Sequence, residues 1–214
     1  MKQNFLSLTT TIVAISTIIS TQAFAASSAG VSVGLPASSG NGCPSGTVSA
    51  AVSPDNSALS VIFSAFQVEA GGITGRNKDR RDCKVSIPLT VAPGRRLIMV
   101  KADYRGYHNV PNGARSTFRH AYSLSDSLGY RRGNTVSKFF NGPLDEDYLV
   151  EGDSGSTVIS GCGSNMTLNI AASVGVQTNR ALASTLATVD SVDVTSTNSG
   201  QAGLTYYLIY QSCP

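Results

Sequence analysis

Apolar and polar residues alternate strictly in Val85-Ser86-Ile87-Pro88-Leu89-Thr90-Val91. A period of two places successive side chains on opposite faces of a strand, so this segment predicts a β-strand with one buried face. Pro93-Gly94 then predicts a turn into Leu97-Ile98-Met99-Val100, and the two segments together predict a hairpin. Because Pro88 has no backbone N–H to donate, we expect its strand to lie at a sheet edge or to bulge there.

The same strand pattern recurs along the chain. After the turn signal Ser53-Pro54-Asp55-Asn56, alternation places Leu59, Val61, Phe63 and Ala65 on one side of a strand. No segment after the N-terminal leader shows a sustained helical period. The sequence therefore predicts an all-β fold, an antiparallel β-sandwich with two disulfides. Further predicted strands are Ser116–Tyr122, Met166–Val176, Thr185–Val194 and Leu204–Tyr210.

The N-terminus has the features of a secretory signal peptide. Lys2 precedes a mostly apolar run, and Ala23 and Ala25 supply small residues for cleavage after position 25. A membrane anchor is the alternative, but it needs about 20 apolar residues. The sequence predicts a signal peptide at 1–25, a flexible Ser/Ala/Gly-rich lead-in at 26–42 and one sandwich domain at 43–214. We expect the mature protein to be secreted, into the periplasm or the extracellular medium, with no membrane span.

Composition and cysteine usage agree with that location. With 214 residues and 14% charged side chains, the chain is neither a disordered polyelectrolyte nor a membrane bundle. Its four cysteines are widely spaced, which predicts two disulfides and disfavours zinc; no cofactor motif is found. We favour the pairs Cys43–Cys83 and Cys162–Cys213, each within one half of the chain, although the sequence leaves the connectivity open.

Several short motifs carry a resemblance to one family. They are Cys43-Pro44, Ser53-Pro54-Asp55, Val61-Ile62-Phe63, Asp82-Cys83, Asp103-Tyr104-Arg105-Gly106-Tyr107, Gly113, Tyr122, Cys162-Gly163 and Cys213. The chain resembles DUF4360, a family of secreted bacterial and fungal proteins with no established function. The resemblance implies a secreted β-rich domain and supplies no catalytic residue. The stretch Arg76–Arg81 departs from the family pattern.

Charge is distributed unevenly along the chain. Residues 76–138 hold fourteen Lys and Arg against four Asp, whereas residues 139–214 hold one Arg against seven Asp and Glu. If the basic strands share a face, that face would bind anionic polymers such as acidic glycans or lipopolysaccharide; the sequence favours nucleic acid less. The alternative is that the two zones interleave and neutralise each other. The predicted binding residues are Arg95, Arg105, Arg115, Arg119, Tyr104 and Tyr107.

One enzyme hypothesis remains open beside this one. Paired carboxylates from Asp145, Asp147, Glu151 and Asp153 could serve a hydrolase of cell-wall or extracellular polymers. The same acidic segment could hold Ca²⁺, but a solvated acidic loop is the simpler interpretation.

Gly152-Asp153-Ser154-Gly155 is similar to the nucleophile loop of serine proteases, which would require a base such as His120. The sequence favours a polar turn there. It therefore predicts a non-enzymatic interaction protein, with self-association between acidic and basic zones as a third hypothesis.

Overall fold

The computed structural model describes residues 30–152, 157–179, 184–189 and 203–214. The described residues form fourteen β-strands and one short 3₁₀ helix, Gly72–Thr74. They contain no helix that is long and apolar enough to cross a membrane. The strands are β1 Val31–Val33, β2 Ala37–Ser39, β3 Val48–Val52, β4 Ala58–Phe63, β5 Gln67–Ala70, β6 Lys78–Val91, β7 Arg95–Val110, β8 Arg115–Asp126, β9 Gly129–Asn141, β10 Leu144–Glu151, β11 Val158–Ile159, β12 Asn165–Gln177, β13 Thr185–Thr188 and β14 Leu204–Ser212.

The strands form two antiparallel sheets. Sheet A has the order β1-β6-β12-β8-β9, and β2 also pairs with β6. Sheet B has the order β3-β4-β14-β7-β13-β5, and β10 and β11 pair with β7. The predicted antiparallel sandwich is confirmed.

The core lies between the two sheets and follows the period-two pattern. From residue 165 to residue 172, β12 alternates between buried and more exposed positions, with Leu168 and Ile170 facing inward. At the centre, the buried rings of Tyr104, Phe118 and His120 lie in contact. Leu59, Val61 and Phe63 of β4 are also fully buried, as the sequence predicts. The inner faces are therefore closed by packing, and any binding surface must lie on the outer faces or at the ends.

The hairpin predicted around Pro93-Gly94 is wrong. β6 belongs to sheet A and β7 to sheet B, so this turn carries the chain from one sheet to the other. Asn112-Gly113 carries it back from β7 to β8. Alternation shows that a strand has one buried face, but it does not specify which strand lies beside it. Here the two buried faces oppose each other across the core.

Pro88 lies where β6 has an interrupted neighbour. β12 pairs with β6 from Lys78 to Thr90, whereas β1 and β2 on the other side leave a gap. The Pro88 carbonyl accepts a hydrogen bond from the Gly34 N–H at 2.8 Å. In an antiparallel strand the N and O of one residue point the same way, so the missing N–H faces this gap. β6 is thus an internal strand of sheet A, but Pro88 faces the gap between β1 and β2, where no strand pairs with it.

The segment predicted as a flexible lead-in differs in the structure from residue 30 onward. β1 and β2 pair with β6, and Val31 is buried in the core. The unpaired edge of β6 offers backbone hydrogen bonds that this segment takes up. The predicted signal peptide and residues 26–29 lie outside the described residues.

Both favoured disulfides are confirmed. Cys43 bonds Cys83 with Cα atoms 5.3 Å apart, and Cys162 bonds Cys213 with Cα atoms 6.1 Å apart. The first fixes the N-terminal segment to β6. The second fixes the end of β14 to the loop that precedes β12.

Candidate functional site

The outer face of sheet A is strongly basic. Among the described residues, its outward positions carry six cationic side chains and a single acidic one, Asp82. Asp82 is paired, since Arg80 donates to its Oδ1 from Nε at 3.1 Å and from Nη2 at 2.7 Å. This face therefore keeps a large positive excess. The cations are Lys78, Arg80, Lys84, Arg115, Arg119 and Arg132.

A line of small side chains runs along the middle of this basic face. β12 is the central strand of sheet A, and its register places Ala171, Ser173 and Gly175 on the outer face, where Ala171 is exposed and the other two are buried. A Cβ on Gly175 would lie 2.9 Å from the Thr117 hydroxyl oxygen on β8. β6 on one side, and β8 and β9 on the other, carry the long cationic side chains. We call this arrangement, a small-residue floor between cationic walls, the sheet A trough.

Two hollows mark the depth of the trough. The larger, of about 450 Å³, is lined by residues that include Lys84, Tyr130, Arg132 and Asn169. The smaller, of about 200 Å³, includes Arg80 and Arg119. The hollows share Lys84, Ala121, Thr135 and Ala171, so they adjoin each other. At the usual rise per residue, the outward positions from Asn169 to Gln177 span about 27 Å.

A fixed polar ladder contributes Ser86 and Asn169 to the lining of the larger hollow. Ser86 on β6 donates from Oγ to Asn169 Oδ1 at 3.0 Å, and Asn169 Nδ2 donates to Ser125 Oγ on β8 at 3.2 Å. These three residues lie on neighbouring strands of sheet A. The ladder holds the Asn169 amide in one orientation, and its oxygen and the hydroxyl groups keep capacity for further hydrogen bonds.

An aromatic side chain stands at the side of the same hollow. The Tyr130 side chain is 62% exposed, and the Arg132 guanidinium carbon lies 6.0 Å from its ring centroid. β9 contains a β-bulge beside Tyr130. The pairs Ala121–Thr135 and Ser123–Arg132 are aligned, and between them Tyr122 of β8 lies opposite two residues, Gly133 and Asn134. The bulge turns Arg132 onto the outer face.

The predicted binding residues are divided between the two sheets. Arg115 and Arg119 lie on the outer face of sheet A, in the trough, whereas Arg95 and Arg105 belong to β7 of sheet B. The four arginines therefore do not share one face. β7 runs through sheet B although its neighbours β6 and β8 run through sheet A, so closeness in sequence does not place its arginines beside theirs.

The two predicted tyrosines also lie away from the trough. Tyr104 is fully buried in the core, and burial raises the pKa of its hydroxyl. Tyr107 lies on sheet B and donates a short hydrogen bond to Asp145. The hydrogen bond to Asp145 raises the pKa of Tyr107 and lowers that of the carboxyl group.

The candidate hydrolase carboxylates lie along an edge strand. Asp145, Asp147 and Glu151 belong to β10, where a loop was expected, and all three are exposed. Lys101 lies 3.4 Å from Glu151 Oε1 and 3.2 Å from Asp103 Oδ1. A general acid needs a raised pKa, whereas that of Asp145 is lowered. Asp153 and the Gly152–Gly155 motif fall on residues outside the described ranges, except Gly152.

His120 is a core residue rather than an exposed base. It is 1% exposed, and its Nε2 lies 2.9 Å from the Tyr206 hydroxyl. Burial lowers the pKa of its imidazole to about 3. This position agrees with the predicted strand Ser116–Tyr122, which contains His120.

Several trough residues were missed by the sequence interpretation. Period-two alternation in β12 already places Asn169, Ala171, Ser173 and Gly175 on one face, so that part of the floor was accessible from the sequence. The outward position of Arg132 could not be predicted from the sequence, because the bulge at Gly133 shifts the alternation of β9.

A family model, the domain of unknown function DUF4360, matches residues 29–213. The chain belongs to this family. An uncharacterized secreted protein of the fungus Arthroderma benhamiae is 35% identical over 156 residues, which are 72% of this chain and 62% of the relative. The chain thus spans less than two thirds of that relative's length.

A solved structure is also similar to this DUF4360 chain. It is that of TmCBM61 in complex with β-1,4-galactotriose, with 12% identity and a TM-score of 0.26 over 83% of this chain and 88% of that one. No residue or ligand is carried over from it. The DUF4360 protein described here is secreted, in agreement with its secreted relative and with two disulfides typical of an oxidising compartment.

Proposed function

We propose that this secreted protein binds a linear anionic polysaccharide along the sheet A trough. The observation that carries the proposal is the combination of a small-residue floor with cationic walls on an outer sheet face. Because the floor follows one strand, a polymer can lie along it and meet cations on both sides. The Arg guanidinium groups suit the carboxylate or ester oxygens of such a polymer.

The lining of the trough favours a polysaccharide over a nucleic acid. Proteins that bind single-stranded nucleic acids stack successive bases on a series of aromatic rings. In the described part of the trough, the large exposed aromatic side chains are Tyr130 and Phe139, both on β9. The ladder through Asn169 instead offers amide and hydroxyl groups, which match the hydroxyl groups of sugars.

Binding through exposed cations should depend on salt. Salt ions screen such charges, and the Debye length falls from about 30 Å at 0.01 M salt to about 8 Å at 0.15 M. Within the described ranges, no carboxylate forms a salt bridge with Lys84, Arg115, Arg119 or Arg132. These cations are therefore available to a ligand, and their contribution weakens as salt is added.

The two pairs of arginines on opposite sheets provide a matched test. Arg115→Gln/Arg119→Gln removes two positive charges from the trough. Arg95→Gln/Arg105→Gln also removes two positive charges, but from sheet B. We expect the first double variant to lower the affinity for polygalacturonate about tenfold or more at low salt, and the second to leave it within about twofold. Calorimetric titration measures both. Equal losses in the two variants, or no binding by the natural chain, would overturn the proposal.

A further inference from the structure

We infer that the larger hollow of the trough is a subsite for a uronate, a sugar unit that carries a carboxylate. The inference rests on the proposed function and specifies its ligand class. Three features of the hollow point to such a unit: an exposed ring, two cations and a fixed polar floor.

The exposed ring is that of Tyr130. Its side chain is 62% exposed and lies beside a hollow of about 450 Å³. An amphipathic ring at the side of a polar hollow can cover the apolar C–H face of a sugar while its hydroxyl group stays in water. The cation–π contact with Arg132 holds the two side chains together.

The cations are Lys84 on β6 and Arg132 on β9. Both line the hollow, and none of its described lining residues is acidic. β12 and β8 lie between these two strands, so the cations approach the hollow from opposite sides. The planar guanidinium of Arg132 matches a planar carboxylate by two parallel hydrogen bonds, a geometry that a tetrahedral sulfate ester fits less closely.

The polar floor is the ladder described above. Asn169 Oδ1 accepts from Ser86, and its amide donates to Ser125, so the side chain is oriented before any ligand arrives. An oriented amide loses little conformational entropy on binding. The amide can thus form hydrogen bonds with the hydroxyl groups of a sugar ring stacked on Tyr130, while Arg132 and Lys84 bind the carboxylate.

The test compares three probes on one protein. Polygalacturonate carries the carboxylate, its methyl ester has the same backbone without the charge, and dextran sulfate carries sulfate esters instead. We expect polygalacturonate to bind at least tenfold more tightly than the methyl ester, and more tightly per charge than dextran sulfate. Tyr130→Ala and Asn169→Ala should each remove most of the preference over dextran sulfate. Tyr207→Ala, at an exposed tyrosine of sheet B, is the matched control and should keep it.

The outcomes separate this inference from the proposed function. If dextran sulfate binds as tightly per charge as polygalacturonate, or if Tyr130→Ala and Asn169→Ala match the natural chain, the uronate subsite is overturned while the polyanion trough stands. If none of the probes binds at low salt, the proposed function fails and the subsite fails with it. Melting curves of each variant show that the fold is retained.

Discussion

At the scale of single residues, the core contains a polar pair among aromatic rings. His120 Nε2 lies 2.9 Å from the Tyr206 hydroxyl, and the His120 ring lies 4.4 Å from that of Tyr104 between centroids. Both members of the pair are almost fully buried. Burial lowers the pKa of His120 from 6.5 to about 3, so the imidazole is neutral in the folded protein at neutral pH.

This burial predicts a loss of stability in acid. Because the unfolded chain protonates His120 near pH 6.5 and the folded chain only near pH 3, the unfolded state binds more protons between these values. The free energy of unfolding should therefore fall as the pH drops below about 6.5, with at most about 1.4 kcal/mol per pH unit from this one group. Urea unfolding at pH 7 and pH 4.5 measures the fall.

A double substitution isolates the contribution of His120. His120→Phe/Tyr206→Phe replaces both partners by apolar rings of similar shape, a change that can be nearly neutral at pH 7. His108, also buried, stays in both proteins, so the difference between them reports on His120 alone. An equal acid-induced fall in the double variant would contradict the assignment. Tyr206→Phe alone should cost about 1–3 kcal/mol, because it leaves His120 Nε2 without its partner.

At the scale of elements, the β-bulge in β9 links stability to the trough. Gly133 packs against the ring of Tyr122, and a Cβ at this position would lie 2.2 Å from two ring atoms. The same bulge places Arg132 on the outer face beside Tyr130. The glycine therefore supports both the packing of the core and the geometry of the larger hollow.

Gly133→Ala should accordingly lower both stability and polyanion affinity. Overpacking against a buried ring costs about 1–3 kcal/mol of unfolding free energy. Gly175→Ala is the control for stability alone, since its Cβ would have one close contact, with the Thr117 hydroxyl oxygen at 2.9 Å, and a side-chain rotation can relieve it. Thermal melts of both variants compare their stability, and polygalacturonate titration of Gly133→Ala against the natural chain measures the affinity. A Gly133→Ala protein as stable as Gly175→Ala would show that Tyr122 can move without penalty.

The elements also show what the sequence could and could not specify. Alternation in Leu59–Phe63 correctly predicted the buried face of β4, because a half-buried strand needs only a local pattern. Sheet membership depends on contacts distant in sequence, so the local turn signal at Pro93-Gly94 predicts a hairpin that the structure does not contain. The sequence predicts a loop in place of β10 because the outward Asp145 and Asp147 obscure the inward Tyr148 and Val150.

At the scale of the whole molecule, the uneven charge of the sequence maps partly onto two outer faces. The basic strands β6, β8 and β9 all belong to sheet A, and the acidic strand β10 belongs to sheet B. β7 is the exception, since its basic residues lie beside β10, where Lys101 pairs with Asp103 and Glu151. The basic and acidic zones therefore neither neutralise each other fully nor form a single arginine-rich face. The strand topology determines this partial separation of charge.

This arrangement predicts self-association that a polyanion would suppress. The trough of one copy can accept the exposed acidic strip of β10, formed by Asp145, Asp147 and Glu151, from another copy. Such a contact joins two different surfaces, so it adds copies head to tail. We expect light scattering to rise at about 0.01 M salt and to fall at about 0.15 M, where the Debye length shortens to about 8 Å.

The scattering experiment can also test whether a polyanion competes with the β10 strip for the trough. Polygalacturonate added at low salt should lower the scattering, because the polymer and the β10 strip would occupy the same cations. Arg115→Gln/Arg119→Gln should scatter less than the natural chain, whereas Arg95→Gln/Arg105→Gln should not. Scattering that is insensitive to salt, or that persists in the Arg115→Gln/Arg119→Gln protein, would mean that copies associate through another surface. In that case the trough would have to be tested for polymer binding on its own, since its cations would take no part in the association.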